Sequence, residues 1–202
     1  MIHVPLSFPS GSAGSDLSVN HAISAFAALS STHPEVTHID VVIANAGTSS
    51  PRVPILDVTP DRLLGSLAVN SLAPLLLFQA AWPLLQKADN PKFVAIGSIV
   101  GSVVGVEETG GWADAAYGTS KAAGNYLVRK LGKEMEEAVA VCVVHPGWIQ
   151  TDMGNARAVE QGLKEAPVTL KESVEGIFEE IDRMGKGKDC GFRTFDHKDI
   201  AW

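Results

Sequence analysis

Tyr117 and Lys121 stand four residues apart in the run Tyr117-Gly118-Thr119-Ser120-Lys121, a spacing that puts both on one face of a helix. A free phenol has a pKa of about 10, too high for ready proton exchange near neutrality. A lysine ammonium within a few ångströms favours the phenolate and lowers that value, giving a proton donor and acceptor. A surface tyrosine beside a solvated lysine has the same spacing. Two further residues bear on the choice. Ser98 ends the run Phe93-Val94-Ala95-Ile96-Gly97. There its hydroxyl could hydrogen-bond a substrate carbonyl, or simply belong to a turn. Asn70 lies four residues before Pro74 in a helical stretch. Proline has no N–H, so the Asn70 carbonyl loses its helical donor and is freed to hold a water. The alternative is a plain kink with Asn70 on the surface.

These residues need elements that bring them together. Ile39-Asp40-Val41-Val42-Ile43-Ala44, Phe93 to Ile96 and Val139 to Val144 read as strands apolar on both faces. Residues 2–6 and Phe192 to Phe195 add two more. Helices are expected over 17–30, from Thr59-Pro60-Asp61, over about 114–137 and over about 171–184. The middle opening is well capped, with Thr as N-cap, Pro at the first helical position and a carboxylate at the positive dipole end. Residues 8–15, rich in Ser and Gly, read as a loop. Strand and helix in alternation predict an α/β fold, a doubly wound parallel sheet. Ligands bind such sheets at the carboxyl ends of the strands. Three ends carry polar or glycine punctuation: Asn45-Ala46-Gly47, Gly97-Ser98 and Pro146-Gly147.

Composition narrows the function further. The chain has 202 residues, 16 Lys and Arg against 23 Asp and Glu, and a net charge of −7. That suits one domain over 1–202 with a real core, and argues against nucleic acid as a partner. Cys142 and Cys190 give neither a disulfide framework nor metal-ligand spacing, which fits a reducing compartment. The six histidines show no ligand spacing either. The apolar stretch Leu72 to Leu85 is interrupted by Pro74, Gln79 and Pro83, and the first ten residues lack a basic, then apolar, leader pattern. A cytoplasmic protein without membrane contact is expected.

Taken in order, IANAG at 43–47, VN at 69–70, GSIVG at 97–101, YGTSK at 117–121 and HPGWIQTDMG at 145–154 resemble the short-chain dehydrogenase/reductase family. The resemblance runs to GFRTFDHKDIAW at the end of the chain. The HPGWIQTDMG run and the final tail look most like fungal ketoreductases of the norsolorinic acid ketoreductase type, enzymes of secondary metabolism. The resemblance implies a Rossmann-type fold and an oxidoreductase that reduces a ketone, or oxidises an alcohol in reverse, with NADP, or NAD, as cofactor. Tyr117 would protonate the carbonyl oxygen. Lys121 would lower the Tyr117 pKa and hold the nicotinamide ribose. Ser98 would polarise the carbonyl, and Asn70 would hold a relay water through its main chain. Asn45 would line the adenosine side, with Ile149 and Thr151 at the nicotinamide carboxamide and phosphate side. The partner is a small carbonyl or alcohol, and the family's usual assemblies are homodimers or homotetramers. Glu107, Glu108, Gly110, Gly111 and Trp112, in a stretch longer than the family's usual spacing, would wall the substrate pocket or form an exposed variable loop. Trp148 would face substrate or serve structure, and His145 would pack at a strand end.

The family's TGxxxGxG turn, which grips the cofactor diphosphate on a helix N-terminus, has no match. Gly11-Ser12-Ala13-Gly14 is too short, residues 2–6 resemble the family's third strand, and Ser7 stands where an Asp usually meets adenine. The expected chain therefore lacks the first two βα units, on the order of 50 residues. In the family's strand order, 3-2-1-4-5-6-7, this would strand residues 2–6 and expose the edge of 39–44. Two functions follow: an oxidoreductase, or a catalytically silent fragment with a binding or regulatory role, or an incomplete gene product. The lone 202-residue chain is expected to be marginally stable or to aggregate, and to bind NADPH weakly or not at all.

Overall fold

The computed structural model describes residues 24, 28–29, 31–49, 51–109, 114–188 and 191–202. The strand expected at 2–6, the loop at 8–15 and most of the helix at 17–30 lie outside them, as do Cys190 and residues 110–113. Among the described residues, four strands form one parallel sheet in the order β1 (Val41–Ala44), β2 (Lys92–Ile96), β3 (Ala140–His145), β4 (Phe192–Thr194). Phe93 stands level with Val141, and Ile96 with Val144. Helices carry the chain from each strand to the next, so all four carboxyl ends reach one edge. Within the described residues β1 is an outer strand and Val41 is 37% exposed.

Alternate strand residues point to opposite faces, and both faces are covered, which is why the strands are apolar throughout. Phe93, Val141, Val143 and Phe192 meet Phe78 and Leu85 on one face. Val94, Cys142 and Val144 meet Ile181 on the other.

Helix α1 (Pro60–Leu67) begins as its sequence dictates: Thr59 is the N-cap and its side chain accepts from the Arg62 N–H. The chain then makes one wide turn, Ala68–Leu72, in which the Ala73 N–H reaches back five residues to the Ala68 carbonyl. Helix α2 (Ala73–Leu85) follows without a break. The widened turn is the physical answer to Pro74, which has no hydrogen to give and whose ring crowds the preceding turn. Helix therefore continues over 26 residues from Pro60 to Leu85, long and apolar enough to cross a membrane by length and composition. Here its apolar side lies in the core, with the Phe78 ring edge-on to Phe93 at 5.2 Å and stacked on Trp82 at 5.4 Å.

After β2 come a short helix α3 (Val106–Thr109) and the long helix α4 (Ala115–Glu134). Asp114, 1% exposed, holds the N-cap position of α4 and pairs with Arg62 of α1 at 3.6 Å. Gly124 lets α4 come close: a Cβ there would stand 2.7 Å from the Asn70 carbonyl oxygen. Helices α5 (Asp152–Glu160) and α6 (Leu170–Arg183) lead to β4. The residues after β4 fold back over the loop beyond β2. Ser102 Oγ donates to the Ala201 carbonyl at 2.6 Å, and the Val104 N–H to the Trp202 carbonyl at 3.3 Å. The Trp202 ring packs on Phe192 at 5.4 Å and beneath the Arg129 guanidinium at 4.7 Å.

Candidate active site

Ser98 leaves β2 in an extended conformation (φ −156°, ψ 141°), and its carbonyl accepts from the Gly101 N–H at 2.9 Å. That turn aims the Ser98 side chain along the carboxyl edge of the sheet. Tyr117 lies in the first turn of α4, its phenol near enough to the Ser98 side chain for that neighbour to lower its pKa. Lys121, one turn further on, is 6% exposed. Its Nζ donates to the Ile96 carbonyl at 2.8 Å and sits 5.9 Å from the Tyr117 ring centre. The three side chains thus gather at one point of the sheet edge.

The electrostatics correct one expectation. Lys121 was expected to draw the Tyr117 pKa down; instead burial pushes that phenol up, and the neighbouring Ser98 side chain only partly offsets it. Burial also draws Lys121 down, to about 8. Desolvation disfavours both charged forms, and in this buried corner it is the largest cause acting on each. Tyr117 is therefore a protonated donor at neutral pH, backed by an amine close to its titration point.

Asn70 is not a surface residue at a kink; it is 4% exposed. Its amide is bound on three sides. Oδ1 accepts from the Thr48 N–H at 2.9 Å, while Nδ2 donates to the Thr48 carbonyl and to Ser120 Oγ, both at 2.9 Å. Ser120 Oγ in turn donates to the Tyr117 carbonyl at 2.7 Å. The side chain thus fastens the loop after β1 to the helix that carries Tyr117 and Lys121. The Asn70 carbonyl is left toward α4, beside a pocket about the size of one water that Lys121, Gly97 and Asn125 also line.

The remaining expected residues occupy the same edge without a hydrogen bond to this group among the described residues. Asn45 is exposed just past β1. Ile149 makes an isolated parallel bridge with Val168. Thr151 is the N-cap of α5, its side chain accepting from the Gly154 N–H at 3.1 Å. Trp148 serves structure, donating through Nε1 to the Gly154 carbonyl at 2.9 Å. Burial draws the His145 pKa to about 4, so the ring is neutral, and its Nδ1 has no hydrogen-bond partner among the described residues. Glu107 and Glu108 are exposed on α3. Gly110, Gly111 and Trp112 lie outside the described residues.

The structure gives two further residues a place at this site. Gly47 stands so close that a Cβ would lie 3.4 Å from Asn70 Oδ1 and 3.6 Å from Lys121 Nζ. Asn125 is 5% exposed on α4. Its spacing of four from Lys121 was the available signal.

A family profile described as short chain dehydrogenase matches residues 14–162. A norsolorinic acid ketoreductase of Dothistroma septosporum is 41% identical over 83% of this chain and 63% of its own length. A short-chain dehydrogenase of Pyricularia oryzae is 40% identical over 83% of this chain and 68% of its own length. The chain spans about two thirds of the length of the curated relatives it matches. Among solved structures, the NADPH-bound carbonyl reductase from chicken fatty liver superposes with a TM-score of 0.80 at 28% identity, over 98% of this chain and 76% of the other. The carbonyl reductase Sniffer of D. melanogaster gives 0.78 at 26%, over 91% and 74%.

Proposed function

The chain belongs to the short-chain dehydrogenase/reductase family, and from that premise we propose that it is a carbonyl reductase, taking a small ketone to an alcohol with NADPH, or the reverse. The observation that carries this reading is the Tyr117 phenol set beside the Ser98 side chain, with Lys121 buried one turn along the same helix. Ser98 directs its hydroxyl at the carbonyl oxygen and holds it beside the phenol. Tyr117, kept protonated by burial, delivers its proton to that oxygen as negative charge develops there. Lys121, poised near pH 8, replaces the proton, and the pocket beside the Asn70 carbonyl holds the water that connects Lys121 to solvent.

The described residues fit the nicotinamide and ribose half of a dinucleotide. Gly47 leaves free, beside Lys121 Nζ, the space a side chain would fill. In this reading Asn45, past the carboxyl end of β1, and Ile149 and Thr151, past that of β3, serve the adenosine side, the carboxamide and the phosphate side. The dinucleotide supplies the hydride when bound. NADP is proposed over NAD from the resemblance to the NADPH-bound reductase. The same reading takes 1–202 as one Rossmann-type domain of a cytoplasmic homodimer or homotetramer.

The test is calorimetric titration of NADPH into the purified chain, followed by NADPH oxidation with a panel of aromatic ketones. Binding together with turnover that Tyr117→Phe abolishes is expected. Binding without turnover on any carbonyl would overturn the reductase reading, and absence of binding would favour a catalytically silent role.

A further inference from the structure

Asn125 is a buried polar residue to which the reading above gives no task. It lies four residues after Lys121, so both project from the same face of α4. Its Nδ2 makes a long hydrogen bond, 3.4 Å, to the Gly101 carbonyl. Its Oδ1 accepts no hydrogen bond from any described residue. That oxygen lies against Gly97, 3.2 Å from where a Cβ would be. Gly97, Asn125, Lys121 and Asn70 line the same water-sized pocket.

The donors and acceptors around this pocket are complementary. An ammonium carries three hydrogens, and the Ile96 carbonyl takes one of those on Lys121. The Asn70 carbonyl is turned toward α4, and Pro74 cannot supply the bond that a helix would normally bring it. A buried water makes about three hydrogen bonds, usually to polar groups that would otherwise go without. Asn70 and Lys121 provide two of these, and a third polar atom is required to fix the water's orientation.

We propose that Asn125 is a positioning residue, whose Oδ1 accepts a hydrogen bond from a water held between the Asn70 carbonyl and Lys121 Nζ. The water then has one acceptor contact from Lys121 and two donor contacts, to Asn70 and Asn125. Its lone pair is directed at the ammonium, which stabilises the protonated form of Lys121 from which Tyr117 recovers its proton. The role in proton supply rests on the reductase reading, whereas the placement of the water does not.

The test is made on the cofactor-free full chain. In a high-resolution crystal structure, water density within hydrogen-bond distance of Asn125 Oδ1, the Asn70 carbonyl oxygen and Lys121 Nζ is expected. A water bonded only to Asn70 and Lys121, or a dry Asn125 Oδ1, would overturn the proposal. The second measurement is the pH titration of the Lys121 Cε resonance by NMR in Asn125→Leu and Asn125→Asp. Leu removes the acceptor and should lower the Lys121 pKa by about one unit; Asp should raise it by at least as much. The other titratable groups facing Lys121, Tyr117 on its own helix and His145 on β3, are present in both variants. Opposite shifts support the positioning role, while a packing role alone would move the melting temperature and leave Lys121 unchanged. If neither variant folds, the native density decides. Because the density and the titration use no cofactor, a wild-type chain that shows the water but turns over no carbonyl when NADPH is supplied would overturn the reductase reading and leave Asn125 in place.

Discussion

Replacing Lys121 by Met keeps a flexible chain of similar length and removes the amine. Lys121 is 6% exposed, and burial draws its pKa from the ordinary 10.5 to about 8. Between those values the unfolded chain keeps a proton that the folded chain has released, so stability rises with pH across that window. Below pH 8 the folded state bears the full cost of the buried charge. At ~1.4 kcal/mol per pH unit this comes to about 3 kcal/mol. By pH ~9.5 roughly 1.4 kcal/mol of it is left, so about 2 kcal/mol returns between pH ~7 and that point. Against this stands the Nζ bond to the Ile96 carbonyl, 2.8 Å long, which the Met variant lacks. Leaving that carbonyl unsatisfied costs about 1–3 kcal/mol, and the neutral amine can still make the bond, so this contribution hardly varies with pH. The assay is urea unfolding of both proteins at pH ~7 and ~9.5, at one ionic strength. All other titrating groups are common to the pair, and Tyr117, its pKa raised, stays protonated throughout. The stability of Lys121→Met relative to wild type should fall by about 2 kcal/mol as the pH rises between the two points. A difference that stays flat would mean that Lys121 remains fully charged in the fold, and the desolvation argument would be wrong.

Tyr117→Phe should keep the ring's packing and lose about 10²- to 10⁴-fold in kcat, with an unchanged circular dichroism melt. Gly124→Ala would drive a methyl to 2.7 Å from the Asn70 carbonyl oxygen. It should cost about 1–3 kcal/mol in urea unfolding, because backbone on both sides has to shift. Trp202→Ala removes the ring between Phe192 and Arg129. It should lower stability by roughly 2 kcal/mol and speed amide exchange at Val104, whose N–H is bonded to the Trp202 carbonyl. Asn70→Ala breaks both bonds to Thr48, and a KM for NADPH that rises more than kcat falls is the expected signature.

The parallel sheet was legible because buried strands have to be apolar on both faces, and Phe93 to Ile96 and Val139 to Val144 are. Thr59-Pro60-Asp61 was equally legible, since caps act within one turn. What escaped depends on distance or on burial. Pro74 announced that the Asn70 carbonyl would lose its helical donor, but not that the chain would widen one turn and continue. That choice is made by the packing of α2 on the sheet. Nor could spacing give the direction of the Tyr117 pKa. Tyr117 and Lys121 four apart imply attraction, while the desolvation that raises the phenol comes from walls contributed by distant parts of the chain. Asn125 looked like one polar residue on a long helix. The return of Ala201 and Trp202 to Ser102 and Val104 joins segments almost a hundred residues apart, beyond any local pattern.

The widened turn at Ala68–Leu72 also fixes an angular phase. A turn closed by a five-residue reach accommodates one residue more than its neighbours, and one residue is about 100° of rotation and 1.5 Å of rise. Everything before it on α1 is clocked by that amount relative to α2. Deleting a single residue between positions 68 and 72 would remove that extra residue and look harmless in a propensity count. It would nevertheless swing Arg62 about a quarter-turn off Asp114 and leave that buried carboxylate with no cation. A related chain shorter by one residue at this point therefore has to carry its partner for Asp114 at a different position along α1, or no acid there at all.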